Sequence, residues 1–300
     1  MLTMRHVLIE YVAWDGGWKG GFGTVVRMTS LDNGLLRDFE TYIVAYSGGK
    51  DSSAMAVWAL ENLPHEQLRF IYNPTGADPT ENEWYLPCIE RKLGIEILTI
   101  RAGDRMLPPK RNGKPRYAWE KATNLYDMIR LRGMWPCETA RYCTVYLKQW
   151  PTVLWARAET RNPILLMGQR KEESKTRSRL PKFSPDRNYK QVQDGLPVFR
   201  PILDWSEDDV WYCLDNAGIM KHPVYNRSSR CNCTVCFEMR RVEMLRQCQF
   251  DPSGMARWAR LEQEIKHTWK HRQSIGNLLR QAQAQMALFT VEPRFAEVAS

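Results

Sequence analysis

From Tyr42 to Leu60 the chain passes through an apolar pentad, the turn Ser47-Gly48-Gly49-Lys50-Asp51-Ser52, and a stretch carrying Ala54, Met55, Val57, Trp58 and Leu60. The pentad Tyr42–Tyr46 is β-branched and aromatic, and reads as a short buried strand. The last stretch is apolar nearly all round and reads as a buried helix starting near Ser52. The turn between them needs Gly48 and Gly49, because a Cβ would hinder both the backbone dihedrals and the approach of a ligand. A glycine turn feeding a helix aims free N–H groups and the positive end of the helix dipole at one point. An anion, most often phosphate, belongs there. The spacing is not that of the Walker loop, whose Lys follows a longer turn.

Downstream, strand and helix alternate. Leu68–Tyr72 is expected as a strand, ending in the turn formers Asn73-Pro74-Thr75-Gly76-Ala77-Asp78-Pro79. A helix is expected over Thr80–Leu93, with Thr80 and Glu83 as a capping box, then a strand over Ile95–Ile100. A Pro-, Gly- and Lys/Arg-rich loop covers 102–118. Helices are expected over Leu125–Leu131 and Thr152–Thr160, and a strand over Ile164–Met167. This alternation predicts an α/β fold: a parallel twisted sheet with helices on both faces. Ligands of such sheets sit beyond the strand carboxyl ends, so the loops at Ser47–Asp51 and Asn73–Asp78 can share a site. Ser206 caps a helix whose first turn holds Glu207, Asp208 and Asp209, a structural pattern. His222, between Lys221 and Pro223, reads as a turn residue. Residues 255–287 read as one long helix with an apolar stripe of Trp258, Leu261, Ile265, Trp269 and Ile275. The expected organisation is an N-terminal extension over 1–40, whose glycine-rich 14–23 has no clear period, a nucleotide-binding domain over 41–245, and a helical C-terminal extension over 246–300.

The formal net charge of +9 is concentrated. Arg101–Lys121 holds seven Lys and Arg against two acids, and Arg170–Lys190 eight against three. Such blocks suit a polyanionic partner: nucleotide phosphates, nucleic acid, or both. No apolar run reaches membrane-spanning length, and residues 1–24 lack the plan of a signal peptide. The expectation is a cytoplasmic protein whose cysteines are reduced or metal-bound.

The hexapeptide at Ser47–Ser52 resembles the pyrophosphate-binding loop of the PP-loop ATP pyrophosphatases and sulfonucleotide reductases. Three further blocks resemble the phosphoadenosine phosphosulfate (PAPS) reductase family. They are Arg141-Tyr142-Cys143-Thr144 with Leu147-Lys148 and Pro151; Gly168-x-Arg170-x-x-Glu173-Ser174-x-x-Arg177; and Arg200-Pro201-Ile202-Leu203-Asp204-Trp205 with His222-Pro223-Val224-Tyr225. The resemblance covers roughly residues 40–240, in the family's order. It implies an adenine nucleotide alpha hydrolase-like fold and a nucleotide site built from Ser47, Gly48, Gly49, Lys50, Asp51, Ser52, Thr75, Gly76, Gly168, Arg170 and Arg177. The ligand it implies is ATP, or PAPS or adenylylsulfate (APS), with Mg²⁺. Lys50 would neutralise developing phosphate charge and Asp51 would help hold the metal.

Two cysteine clusters, Cys137 with Cys143 and Cys231-x-Cys233-x-x-Cys236, suit a metal or iron–sulfur site. By resemblance to the iron–sulfur APS reductases, Cys143, Cys233 and Cys236 are the expected ligands, with Cys137 or Cys231 as the fourth. Spacing leaves zinc as the alternative to an iron–sulfur cluster. Cys88, Cys213 and Cys248 fall in helical patterns and read as core. Sulfonucleotide reductases also end in a tail bearing a nucleophilic Cys, whereas the last cysteine here is Cys248. The favoured expectation is therefore adenylation of an acceptor followed by sulfur transfer, with nucleic acid as an acceptor and a donor protein such as a cysteine desulfurase. Sulfonucleotide reduction is one alternative, and a non-catalytic binding subunit with a structural metal the other.

Overall fold

A computed structural model describes residues 34–108, 110, 112–185 and 195–290. The glycine-rich 14–23, the end of the second basic block (186–190) and the last ten residues lie outside the described residues. Six strands form one sheet: β1 (Thr41–Ala45), β2 (Leu68–Tyr72), β3 (Ile97–Thr99), β4 (Pro163–Leu166), β5 (Phe183–Ser184) and β6 (Val198–Phe199), in the order β3-β2-β1-β4-β6-β5. All pairings are parallel except β5 with β6. The principal helices are α1 (Lys50–Asn62), α2 (Asn82–Leu93), α3 (Leu125–Arg132), α4 (Trp150–Glu159), α5 (Glu207–Asn216), α6 (Arg241–Phe250), α7 (Pro252–Ile265) and α8 (Ile275–Thr290). No helix among the described residues is long and apolar enough to cross a membrane.

Strand side chains alternate between two cores, as the pleat dictates. Tyr42, Val44, Phe70, Ile164 and Leu166 point to one face, packed with α1, α2 and α5. Ile43, Ile71 and Leu165 point to the other, packed with Trp150, Val153 and Ala156 of α4. Helices thus cover both faces of the mostly parallel sheet, as expected. A third core lies away from the sheet. There Leu125, Met128 and Trp135 pack with Met244 and Cys248 of α6 and with Trp258, Leu261, Trp269, Ile275 and Leu278 from the C-terminal helices. Residues 246–290 therefore share a core with the cysteine-bearing loops.

The structure changes four details of the sequence reading. The helix after β2 begins at Asn82, and the Thr80 capping box does not form: the preceding residue, Glu81, caps nothing with its side chain. Its carboxylate accepts both guanidinium ends of buried Arg227, one at 2.9 Å. The expected long C-terminal helix is two helices. The chain turns over at Lys266, which is left-handed at φ 53°. Buried Glu262 holds the turn by accepting the N–H groups of Trp269 (2.7 Å) and Gly276 (3.3 Å), so Trp269 and Ile275 both reach the core. The two-residue strands β5 and β6 were not anticipated, being too short to show a period. Finally, α1 starts at Lys50 rather than Ser52. The cap at Ser206 forms as read, its hydroxyl accepting from Asp209 N–H at 3.0 Å.

Candidate nucleotide and thiol site

The loop leaves the carboxyl end of β1 and enters α1 directly. Only Gly48 is left-handed, at φ 79°. Gly49 is extended, and its need for hydrogen is one of space: an added Cβ would lie 3.2 Å from Cys231 Cβ and 3.4 Å from the Tyr225 hydroxyl. Internal bonds fix the loop's shape. Ser52 Oγ donates to Gly49 O at 2.8 Å and accepts from Ser47 N–H at 3.2 Å. The backbone N–H of Lys50 donates to the Tyr225 hydroxyl at 2.7 Å. A phenolic oxygen thus occupies a position where α1 offers its N-terminal N–H to an anion.

Charge is organised around Asp51. One carboxylate oxygen accepts from Lys50 Nζ at 3.0 Å and the other from Arg170 Nε at 2.6 Å. Arg170 is buried and also donates to Glu172 at 2.9 Å and to the Trp205 carbonyl at 3.3 Å. It therefore anchors the first turn of α1 to the β4 loop. Gly168 completes that junction, since a Cβ there would sit 2.7 Å from Asp51 O and 3.1 Å from Ser52 N. Arg177 pairs with Glu173 and lies along a larger groove, away from the loop. Thr75 is buried; its N–H donates to Asp78 at 2.6 Å, and its hydroxyl lies 3.1 Å from Cys233 Sγ. Gly76 is left-handed, and a Cβ on it would meet Asn124 at 2.9 Å. Thr75-Gly76 thus ties the β2 loop to the cysteine segment.

Beyond the strand ends lies a cavity of roughly 150 Å³ lined by Ser47, Asp78, Asn82, Lys148, Cys231 and Cys233 among others. Cys231 lies against the loop at Ser47–Ser52, its Sγ 3.7 Å from Ser47 O. Burial pushes the thiols of Cys231 and Cys233 up to about 12 and that of Cys236 to about 11, and the Lys148 ammonium works against that shift. Burial pulls Lys148 down, but Cys233, Asp78, Cys143 and Cys236 together carry it above the ordinary lysine range. Lys148, which the sequence offered only as part of a motif, is the cation that Cys143, Cys233 and Cys236 all face. Cys137 stands apart in a small turn paired with Ala140, its Sγ 3.4 Å from Thr139 Oγ1. The donor chemistry of Cys143, Cys233 and Cys236 fits a soft metal. As they stand, among the described residues, no three His, Cys, Asp or Glu side chains form a metal-holding group. Tyr225 and Asp78 are site residues that sequence reasoning missed. Asp78 was visible as a turn acid and Tyr225 as the end of the block His222-Pro223-Val224-Tyr225, but nothing local ties Tyr225 to a loop 175 residues away.

The domain model described as phosphoadenosine phosphosulfate reductase matches residues 41–276. An uncharacterized 37.8 kDa protein from the gpa 5′ region of Escherichia phage 186 is 27% identical over 270 residues, covering 77% of this chain and 78% of its own. The phosphoadenosine 5′-phosphosulfate reductase of Aliivibrio salmonicida is 37% identical over 156 residues, about half of each protein (51% and 51%). Among solved structures, the PAPS reductase of Candida auris in its phosphate complex aligns with a TM-score of 0.43 at 11% identity, over 65% of this chain and 81% of that one.

Proposed function

The chain belongs to the phosphoadenosine phosphosulfate reductase family, and from that premise we propose that it binds an adenine nucleotide at Ser47–Ser52 and carries out sulfur chemistry beside it. The observation that carries the reading is that Ser47, the first residue of the loop, lines one cavity with Cys231 and Cys233, and that Cys231 Sγ lies 3.7 Å from Ser47 O. In the form we favour, an acceptor oxygen attacks the α-phosphorus of ATP and pyrophosphate leaves. The outer sulfur of a persulfide on one cysteine then attacks the adenylated carbon and displaces AMP; a second cysteine thiol cleaves the resulting S–S bond, releasing the thiolated acceptor and leaving a disulfide for an external dithiol to reduce. A donor protein such as a cysteine desulfurase fits this scheme as the sulfur source. Lys50, buried at the head of α1, neutralises phosphate charge. Asp51 would hold Mg²⁺ brought in with ATP only by giving up its contact with Lys50 or Arg170.

A second reading, sulfonucleotide reduction, is favoured by the named relative and by that same saturation of Asp51, which suits an anion arriving without its own cation. We include in the proposal a soft metal or iron–sulfur group on Cys143, Cys233 and Cys236, completed by Cys137 or Cys231. Such a group would supply redox or sulfur-handling chemistry, and neither reading depends on it.

Calorimetric titration with ATP–Mg²⁺, PAPS and APS, followed by product analysis, tests the reading. Preference for ATP with release of pyrophosphate and AMP supports adenylation; sulfite release from PAPS or APS replaces it with reduction. Lys50→Ala is expected to weaken the preferred nucleotide about tenfold or more. Indifference to all three nucleotides would sink both readings. Iron, sulfide and zinc analysis of anaerobically purified wild type and Cys233→Ala tests the metal, whose content is expected to vanish in the variant.

A further inference from the structure

Next to the cavity lies a groove of about 1490 Å³. Small-molecule sites are typically about 300–1,000 Å³, so the groove has room for more than one small ligand. It shares Gln149, Met167 and Asn232 with the cavity wall, so whatever lies in it borders the nucleotide site. Seven Lys and Arg side chains line it against three Glu, although Arg200 is buried and bonded within the protein and Arg177 is paired with Glu173. One of those acids, Glu238, is divided between Arg141 at 2.9 Å and Arg230 at 3.2 Å, and Glu243 is engaged by Arg240 at 3.0 Å.

One wall is the turn Lys266-His267-Thr268-Trp269-Lys270-His271 between α7 and α8. This is a third basic segment, one that helical periodicity had concealed. It is firmly built. Trp269 is buried and its indole N–H donates to Cys236 O at 3.1 Å; Lys270 Nζ donates to Met239 O at 2.5 Å. Two non-glycine residues at its ends, Lys266 and Arg272, are left-handed (φ 53° and 58°), a strained conformation for residues with a Cβ. Surrounding contacts hold this geometry, and it leaves Lys266, His267 and His271 exposed. The opposite walls interleave arginine with apolar surface. Arg141 lies over the Phe237 ring at 5.3 Å, with Met134 and Leu180 in the same groove.

We infer that this groove binds single-stranded nucleic acid and presents one nucleotide of it to the nucleotide–thiol cavity. Cations on both walls match a phosphodiester backbone, and the Arg141–Phe237 platform offers a face on which a base can stack. An acidic peptide would use the cations but not the platform. The strand is single because a cavity of roughly 150 Å³ is reached only by a nucleotide already out of its stack. The inference rests on the reading of the cavity as a nucleotide site.

The test is fluorescence anisotropy of the full chain with a fluorescein-labelled single strand, as DNA and as RNA, and with the matching duplex. One of the single strands is expected to bind more tightly than the duplex, with affinity falling steeply from about 50 to about 200 mM salt. Lys266→Glu/His271→Glu is expected to weaken that binding about tenfold or more. Arg141→Gln, a milder change, is expected to weaken it less and to flatten the salt dependence. ATP and PAPS titrations on the same variants should match wild type. Absence of binding by both single strands, tighter binding of the duplex, or wild-type affinity in both variants overturns the inference. Strand binding without any nucleotide binding sinks the proposed function and leaves the groove standing; nucleotide binding without strand binding does the reverse.

Discussion

His222 shows how much one side chain can fix. Its ring is buried, Nδ1 accepts from Val224 N–H at 3.0 Å, and Nε2 therefore carries the proton and donates to Asn82 Oδ1 at 2.9 Å. The bond from Val224 requires the neutral ring, because Nδ1 accepts only while it carries no proton. Burial pushes its pKa down to about 4 from the ordinary histidine value of 6.5. The folded form therefore resists protonation where the unfolded chain accepts it, so this contribution is complete above pH 6.5 and is lost as pH falls toward 4. It amounts to about 1–3 kcal/mol. Urea midpoints are expected to fall across that window in wild type, and less in His222→Asn, whose amide oxygen can still accept from Val224 N–H. Equal slopes in the two proteins would remove His222 from the acid response. The sequence showed His222 as a turn residue, but its partner Asn82 lies 140 residues away, and such pairings leave no local trace.

At the level of elements, the strand–loop–helix unit was legible because three signals agreed: a β-branched and aromatic run, paired glycines and an apolar helix. Where a signal was local and stood alone, it failed. Thr80 and Glu83 had the spacing of a capping box, yet the helix begins at Asn82 without one. The turn at 266–274 contains neither glycine nor proline, so nothing marked the break between α7 and α8. The packing of Gly168 against the backbone of α1 was equally hidden. Its missing Cβ leaves 2.7 Å to Asp51 O, and backbone cannot yield as a flexible side chain can. Gly168→Ala should therefore displace the first turn of α1, lower nucleotide affinity about tenfold and cost about 1–3 kcal/mol. Calorimetry and thermal melts check both; wild-type affinity in the variant would mean that the loop does not depend on this junction.

For the whole molecule, the third core joins parts that the sequence separates. Trp135 from the first cysteine segment, Val235 and Met239 from the second, and Trp258, Trp269, Ile275 and Leu278 from the C-terminal helices pack together. Each large apolar side chain buried there contributes about 1.5–3 kcal/mol. Removing α7 and α8 strips several at once, against a total stability of about 5–15 kcal/mol for a typical domain. A chain ending at Phe250 is expected to lose cooperative unfolding and to aggregate, as size-exclusion chromatography and circular dichroism would show. A monodisperse truncated protein that still binds nucleotide would show that the sheet stands without the third core.

The strand order also sets a timetable. The register pairs Thr41 of β1 with Pro163 of β4, 122 residues later. A ribosome adding about 5–20 residues per second needs about 6–24 s to deliver that partner. Through that interval a nascent β1 can pair with β2 on one edge only, while its other edge stays open to wrong partners. Gly168 and Arg170, which seat and anchor the head of α1, emerge later still. The loop at Ser47–Ser52 thus takes its final shape only after Gly168 and Arg170 have been made.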